Sequence, residues 1–216
     1  MNEAARPSDS ASRSEAARPF VLASQSPARR ELLKTAGIEP QVIVSGVDES
    51  QVTGEDPAEL ASTLAELKAN AVLDQVGPDA LVLGCDSVLH FDREILGKPE
   101  GPEEATSRWK RMRGRSGTLW TGHCLIDVAA DRQIVRASGT VIHFAEVADE
   151  EIAAYVATGE PLHVAGSFTI DGYGSAFISR IEGDPGTVIG LSMPLLRNML
   201  GELEIALHQL WRSPKA

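Results

Sequence analysis

Residues 80–85, ALVLGC, form a short apolar run with no polar interruption. A strand of that composition has no face to offer water, so it predicts the centre of a sheet covered by helices on both sides. Asp86 follows at the carboxyl end of the run. In open α/β sheets, ligands bind beyond that end of the strands. A carboxylate placed there needs a hydrogen-bonding partner or a metal, because burying it unpaired is costly. Capping a loop and serving a ligand both meet that need.

A second stretch has the same logic. Val21 and Leu22 read as the end of a buried strand, residues 24–27 (SQSP) as a tight hydroxyl-rich turn, and residues 28–33 (ARRELL) as the start of a helix closed by Gly37. Ser26 is a good N-cap, and Pro27 suits the first helical position, where its missing N–H has no intrahelical partner to lose. Free N–H groups and the positive end of the helix dipole make such a turn an anion site. Arg29 and Arg30 in the first turn oppose that dipole. They suit either a phosphate-bearing ligand or a solvated basic helix start.

The remaining elements follow from local chemistry. Residues 41–45 read as a strand, followed by an acidic loop with Asp48 and Glu49. Asp56-Pro57 starts a helix whose Leu60, Leu64, Leu67 and Ala71 fall on one face at spacings of three and four. Lys68 lies at the edge of that face, where its stem can snorkel over the core or its ammonium can be directed. Residues 88–91 and 94–96 suggest a hairpin ended by Gly97-Lys98-Pro99. Residues 102–112 predict a helix with acids first and bases last, matching its dipole. Arg108, Lys110, Arg111, Arg113 and Arg115 read for the most part as a solvated basic patch rather than as a set of ligands. Residues 118–129 and 133–147 predict an antiparallel hairpin turning at Asp131. Asp149 is expected to cap the next helix, which Gly159 ends. A glycine-rich loop covers 165–174, a strand 175–182, a turn 183–186, and a last amphipathic helix starts at Met193.

Composition removes several function classes. At 216 residues the chain is one domain, or one with a small lobe. A formal charge of −11 argues against polymeric nucleic acid and anionic membranes as partners. Cys85 and Cys124 give neither a disulfide framework nor a zinc spacing, and both are expected to be buried structural thiols. The sequence has no stretch of about 18 apolar residues. Residues 1–18 carry no apolar signal core and predict a disordered tail, with a single domain over 19–212 and a flexible end at 213–216. A cytoplasmic protein is the expectation. No dinucleotide fingerprint, P-loop, GxSxG or HExxH occurs. What remains is a helix start with arginines, carboxylates at element ends (Asp48, Glu49, Asp86) and lysines beside them (Lys68, Lys98). These are the parts of metal-assisted phosphate-ester cleavage. Magnesium takes one or two carboxylates and completes its shell with water and phosphate oxygens.

Nine short motifs in register extend this reading. They are SxSPxRRELL at 24–33, DES at 48–50, LxxLKA at 64–69, GCDSV at 84–88, GKP at 97–99, TG at 121–122, YVATGEP at 155–161, AG at 165–166 and GLSMPLL at 190–196. Together they resemble the Maf family over nearly the whole chain. The resemblance implies an α/β fold like that of the inosine triphosphate pyrophosphatases: an elongated mixed β-sheet flanked by helices, with a central cleft between two lobes. It implies hydrolysis of a nucleoside triphosphate to the monophosphate and pyrophosphate with a divalent cation, Mg²⁺ or Mn²⁺. By position, the family's catalytic aspartate falls on Asp86, activating water. Lys68 and Lys98 would neutralise charge on the leaving pyrophosphate. Ser24, Ser26 and Arg29 would hold phosphates, and Glu49 with Asp86 would hold the metal. The family also points to a homodimer and has been associated with arrest of septum formation, which leaves a non-catalytic regulator as the alternative.

Four positions depart from the family's usual patterns. Ala28 replaces the first of two arginines, Ser87 follows the aspartate where Thr or Gln is usual, and Asp171 precedes Gly172 where Gln or Glu is usual. Gly117 stands where many members have His. Ser87 and Asp171 are therefore expected in substrate selection, and the preferred base is not fixed by either pattern.

Overall fold

A computed structural model describes residues 18–212 of the chain. The expectations for a tail over 1–18 and a free end over 213–216 fall, but for Arg18, outside those residues. The Arg18 guanidinium donates to both carboxylate oxygens of Asp127, at 2.9 and 2.6 Å, so residue 18 is tied to the domain.

The elements in chain order are β1 (Phe20–Leu22), α1 (Pro27–Thr35), β2 (Gln41–Val42), α2 (Pro57–Asn70), β3 (Leu81–Phe91), β4 (Glu94–Leu96), α3 (Pro102–Met112), β5 (Ser116–Asp127), β6 (Arg132–Phe144), α4 (Asp149–Ala157), β7 (Ile178–Glu182), α5 (Pro185–Ile189) and α6 (Met193–Glu202), with short 3₁₀ turns between them. The strands make one mixed seven-stranded sheet in the order β2-β1-β3-β5-β6-β7, with β4 also on β3. β1 runs parallel to β2 and β3, and the other pairings are antiparallel.

The expected α/β architecture holds, with local corrections. The apolar run at 80–85 is only the first half of β3, which continues through Asp86 to Phe91. Asp86 therefore sits in mid-strand, opposite Gly122 of β5, and not at a strand end. The expected strand at 41–45 pairs over two residues only. Residues 183–186 do not simply turn: Asp184 caps α5, and the helix runs on to Ile189. β7 begins at Ile178, after a 3₁₀ turn. Asp149 is the first residue of α4, with Ala148 at the cap.

Side chains alternate along β3 and β5, and each face has its own sequence. On one face β3 reads Leu81, Leu83, Cys85, Ser87, Leu89, Phe91, and β5 reads Leu125, His123, Thr121, Leu119 against it. Leu81, Leu83, Cys85 and Leu125 join a core under α1 and α6. Leu89, Phe91 and Leu119 join a second core with α3, α4 and the aromatic ring cluster around Trp109. Between these two lobes the same face is polar: Ser87, Thr121 and His123. On the opposite face Val82, Cys124 and Ile126 pack under α2 with Val21, Ala65 and Ala69.

Two glycines set how closely α2 approaches. A Cβ on Gly84 would collide with the Ala65 carbonyl, and one on Gly122 with the Ala61 carbonyl. The buried stripe of α2 is Ala61, Leu64, Ala65, Lys68 and Ala69. The expected stripe through Leu60, Leu67 and Ala71 is turned from this: Leu67 is 40% exposed. Small side chains face the sheet because the helix backbone rests almost on it. Both cysteines are buried, and burial pushes each thiol up to about 12, as inert structural thiols. No helix among the described residues is long and apolar enough to cross a membrane.

Candidate active site

The pairing register leaves a notch beside β3. β1 pairs with β3 only through Leu83, and β4 begins pairing at Leu89. Residues 84–88 thus have β5 on one side and no paired strand on the other. Ser24 and Arg29 stand at the lip formed by β1 and α1, and Lys98 follows β4 at the other lip.

On the α2 face of the notch, charges converge. Lys68 is carried down to the sheet by the close seat of α2, and its Nζ donates to Asp86 Oδ1 at 2.5 Å and lies 2.7 Å from Glu49 Oε1. Lys68 and Asp86 are both buried, at 7% exposure. The directed alternative for this lysine therefore holds over the snorkelling one. Glu49 arrives by strand-like alternation: Ile43, Ser45, Val47 and Glu49 are the half-buried positions of an extended segment, and Ile43 packs on the α2-side core. Asp48, the neighbouring carboxylate, points elsewhere and accepts from the Ser50 N–H and hydroxyl as a turn cap. Lys98 Nζ lies 3.9 Å from Glu49 Oε2 and its side chain is half exposed. Burial by itself would raise the Glu49 carboxyl, but the hydrogen bond and charge of Lys68, with Lys98 and Arg29 beyond, outweigh it and hold the group below the usual range.

Ser24 and Arg29 organise the other lip. The Ser26 hydroxyl accepts from the Arg29 N–H at 3.4 Å, the N-cap the sequence predicts. The Ser24 hydroxyl accepts from the Ser26 N–H and from Arg29 Nη1, both at 3.2 Å. Arg30 points outward, 3.9 Å from Glu39. Arg29 turns inward and is 8% exposed. Its Nε donates to the Gly190 carbonyl at 2.8 Å, Nη1 to the Cys85 carbonyl at 2.8 Å, and Nη2 to the Ser87 hydroxyl at 3.1 Å.

Ser24, Arg29, Glu49, Lys68, Asp86, Ser87 and Lys98 are thus brought together, with Ser26 as the cap behind them. Asp171 is not joined to them by any described contact. It is exposed, in a loop that Glu160 clamps by accepting from the Thr169 hydroxyl and the N–H groups of Tyr173 and Gly174. Sequence reasoning missed Arg108. It belongs to no solvated patch but is buried, bonding Glu104 and the Gly97 carbonyl, and so holds the loop that carries Lys98. The Glu104 acid four residues before it was the available signal. The other four bases of the run do pair with surface acids. It also missed Thr121 and His123, which no local pattern marks.

Among the described residues, no three His, Cys, Asp or Glu side chains converge into a metal cage. Asp86 and Glu49, bridged by one ammonium, form a two-carboxylate oxygen set of the size magnesium commonly uses.

Comparison with known proteins gives a consistent picture. The family described as Maf-like protein matches residues 19–203. A protein of Salinispora tropica named nucleoside triphosphate pyrophosphatase is 60% identical over 85% of this chain and 83% of its own length. Proteins with the same name from Streptomyces avermitilis and Gloeothece citriformis are 58% and 52% identical, covering 85% and 86% of this chain and 90% and 94% of theirs. Among solved structures, the Staphylococcus aureus Ham1 protein aligns with a TM-score of 0.42 at 17% identity, over 60% of this chain and 73% of that one, a likeness too slight to add to the family match.

Proposed function

The chain belongs to the Maf-like protein family, and from that premise we propose that it is a nucleoside triphosphate pyrophosphatase, cleaving its substrate to nucleoside monophosphate and pyrophosphate. The observation that carries this reading is the Lys68 ammonium held between Asp86 and Glu49 in a notch flanked by Arg29 and Lys98. Cations around a pair of carboxylates suit a polyphosphate and a water nucleophile better than a neutral substrate.

Asp86 is the general base. Its Oδ1 is engaged by Lys68, which leaves Oδ2 to take the proton of a water attacking the α-phosphorus. The bond from that phosphorus to the bridging oxygen breaks, and pyrophosphate departs with the electron pair. Lys68 and Lys98 offset the charge that grows on the leaving group. Ser24, Ser26 and Arg29 hold phosphate oxygens at the helix start, where N–H groups and the dipole favour anions. Asp86 and Glu49 would hold a divalent cation, with water and phosphate oxygens completing its shell; when bound it would polarise a phosphoryl oxygen and favour ionisation of water. The substrate is a free nucleotide rather than a polymer, and its base is left open by Ala28, Ser87 and Asp171.

The test is pyrophosphate release from a panel of natural and modified nucleoside triphosphates with Mg²⁺ or Mn²⁺. Nucleoside monophosphate and pyrophosphate in equal amounts are the expected products. No turnover of any substrate would remove the enzyme reading, and release of single phosphates would replace it with another phosphohydrolase.

A further inference from the structure

Arg29 is the only cation among the groups just described that lies on the Ser87 face of β3, and a chain of hydroxyls leads away from it. The Thr121 hydroxyl is 2.7 Å from the Ser87 hydroxyl and donates to the Thr187 carbonyl of α5 at 2.7 Å. A hydroxyl has one hydrogen. Since that of Thr121 is committed to Thr187, Ser87 has to donate to Thr121. Ser87 Oγ then accepts from Arg29 Nη2 at 3.1 Å. The polarity of the chain is fixed along its length: Arg29 to Ser87 to Thr121 to α5.

The same short helix reaches Arg29 a second way. Gly190 caps α5 in the left-handed conformation at φ 112°, and its carbonyl accepts from Arg29 Nε at 2.8 Å. A Cβ at Gly190 would stand 2.8 Å from that nitrogen, so the carbonyl comes this close only because the residue is glycine. α5 is itself pinned: the Thr187 hydroxyl is 2.8 Å from the Ser138 hydroxyl of β6, and Asp184 caps the helix. Thr121 and Thr187 are wholly buried.

We infer that Ser87 and Thr121 are positioning residues that act through Arg29, with α5 as a two-point bracket on its guanidinium. A guanidinium has five N–H groups. Gly190, Cys85, Ser24 and Ser87 take four of them. One Nη2 hydrogen remains for an anion, so Arg29 meets the substrate as a single-point donor whose direction is set by Ser87 and Thr121. Ser87, with its hydrogen given to Thr121 and one lone pair given to Arg29, serves this chain first and any base contact second. The inference rests on the pyrophosphatase reading for its substrate but not for its test.

The experiment is a double-mutant cycle, which separates a residue acting through Arg29 from one acting independently. Thr121→Val and Ser87→Ala are made in the wild type and in Arg29→Lys, with Ser87→Thr as the conservative variant. Two quantities are read: affinity for inorganic tripolyphosphate by calorimetry, and kcat/KM for the best nucleoside triphosphate of the panel. In the wild-type background, Ser87→Ala weakens both quantities about tenfold, the size of one lost hydrogen bond to a charged group, and Thr121→Val weakens them about fivefold, the size of one lost neutral bond. Ser87→Thr stays within about twofold. In the Arg29→Lys background the same changes have less than about a twofold further effect. Equal losses in both backgrounds would overturn the inference, as would unchanged affinity in Ser87→Ala. If Thr121→Val fails to fold, the Ser87→Ala arm decides. If no nucleotide is hydrolysed, the pyrophosphatase reading fails and the tripolyphosphate arm still decides; absence of tripolyphosphate binding to the wild type overturns both.

Discussion

Asp86 and Ser87 are consecutive residues of β3, and they look out on opposite faces of one sheet. Asp86 meets formal charge: a buried lysine and, through it, a half-exposed glutamate and a second lysine at the rim. Ser87 meets the Thr121 hydroxyl, which passes its own hydrogen to the Thr187 carbonyl, and one guanidinium whose donors are nearly all taken. The first cluster opens to solvent through Glu49 and Lys98, with Lys68 and Asp86 buried behind them. The second is more nearly closed, with four of the five Arg29 donors and the Ser87 and Thr121 hydroxyls assigned. Formal charge and fixed hydrogen-bond geometry thus lie on different faces, and the two meet only along the notch where the pairing of β1 with β3 stops.

Asp86→Asn gives the largest expected effect and the sharpest test of the open face. Loss of the base should lower kcat by roughly 10²–10⁴-fold, while nucleotide still binds in a titration. Near-normal turnover would leave the Asp86 face with no reactive role.

The next effect tests the closed face through pH. His123, beside Thr121 on β5, is buried, accepts from the Ser192 N–H through Nε2, and has no partner for Nδ1 among the described residues. Burial, aided by the Arg29 charge, lowers it from 6.5 to about 4. A folded state that resists protonation loses stability once the unfolded chain can take the proton. Stability should therefore be complete above about pH 6.5 and fall between there and about pH 4, by on the order of 3 kcal/mol. Denaturant melts across that window should show the slope, and His123→Gln should flatten it. A wild type with no slope above pH 4 would mean that this face tolerates a second charge.

Gly122→Ala tests the seat of α2. A Cβ there strikes the Ala61 carbonyl, and lifting the helix costs about 1–3 kcal/mol. Because the lift also draws Lys68 from Asp86, activity should fall at temperatures where the variant is still folded. The smallest effects are expected at the N-terminus. Deleting residues 1–17 should leave melting temperature and activity unchanged, whereas deleting 1–18 also removes the Arg18–Asp127 pair and should cost up to about 1 kcal/mol with activity intact.

Much of the open face was legible in the sequence, because its groups sit where local chemistry puts them. Ser26-Pro27 announces a helix start, the ALVLGC run announces a buried strand, and Gly97-Lys98-Pro99 marks a bend. The ALVLGC run points to Asp86 for a slightly wrong reason, since what looks like a whole strand is only the half of β3 that is covered by α2 and α1. Lys68 was ambiguous for a better reason: nothing in a helical repeat tells whether a lysine at the edge of the apolar stripe reaches water or a carboxylate. The stripe that the leucines suggest lies toward Leu60 and Leu67, whereas the buried one runs through Ala61, Ala65 and Ala69, whose small side chains permit the close packing.

The sequence by itself determined the α/β pattern, the helix start at Ser26 and, through nine motifs in register, the family. Those are properties of local propensity and of residue order. Tertiary structure alone decided that Lys68 is buried between Asp86 and Glu49, that Arg29 faces inward while Arg30 faces out, and that Thr121, Thr187 and Gly190 stand around one guanidinium. Each of these depends on two glycines, Gly84 and Gly122, letting α2 rest on the sheet, or on α5 returning beside β5 from far along the chain. Which partner a polar group finds is fixed by packing distance, and sequence spacing carries no record of it.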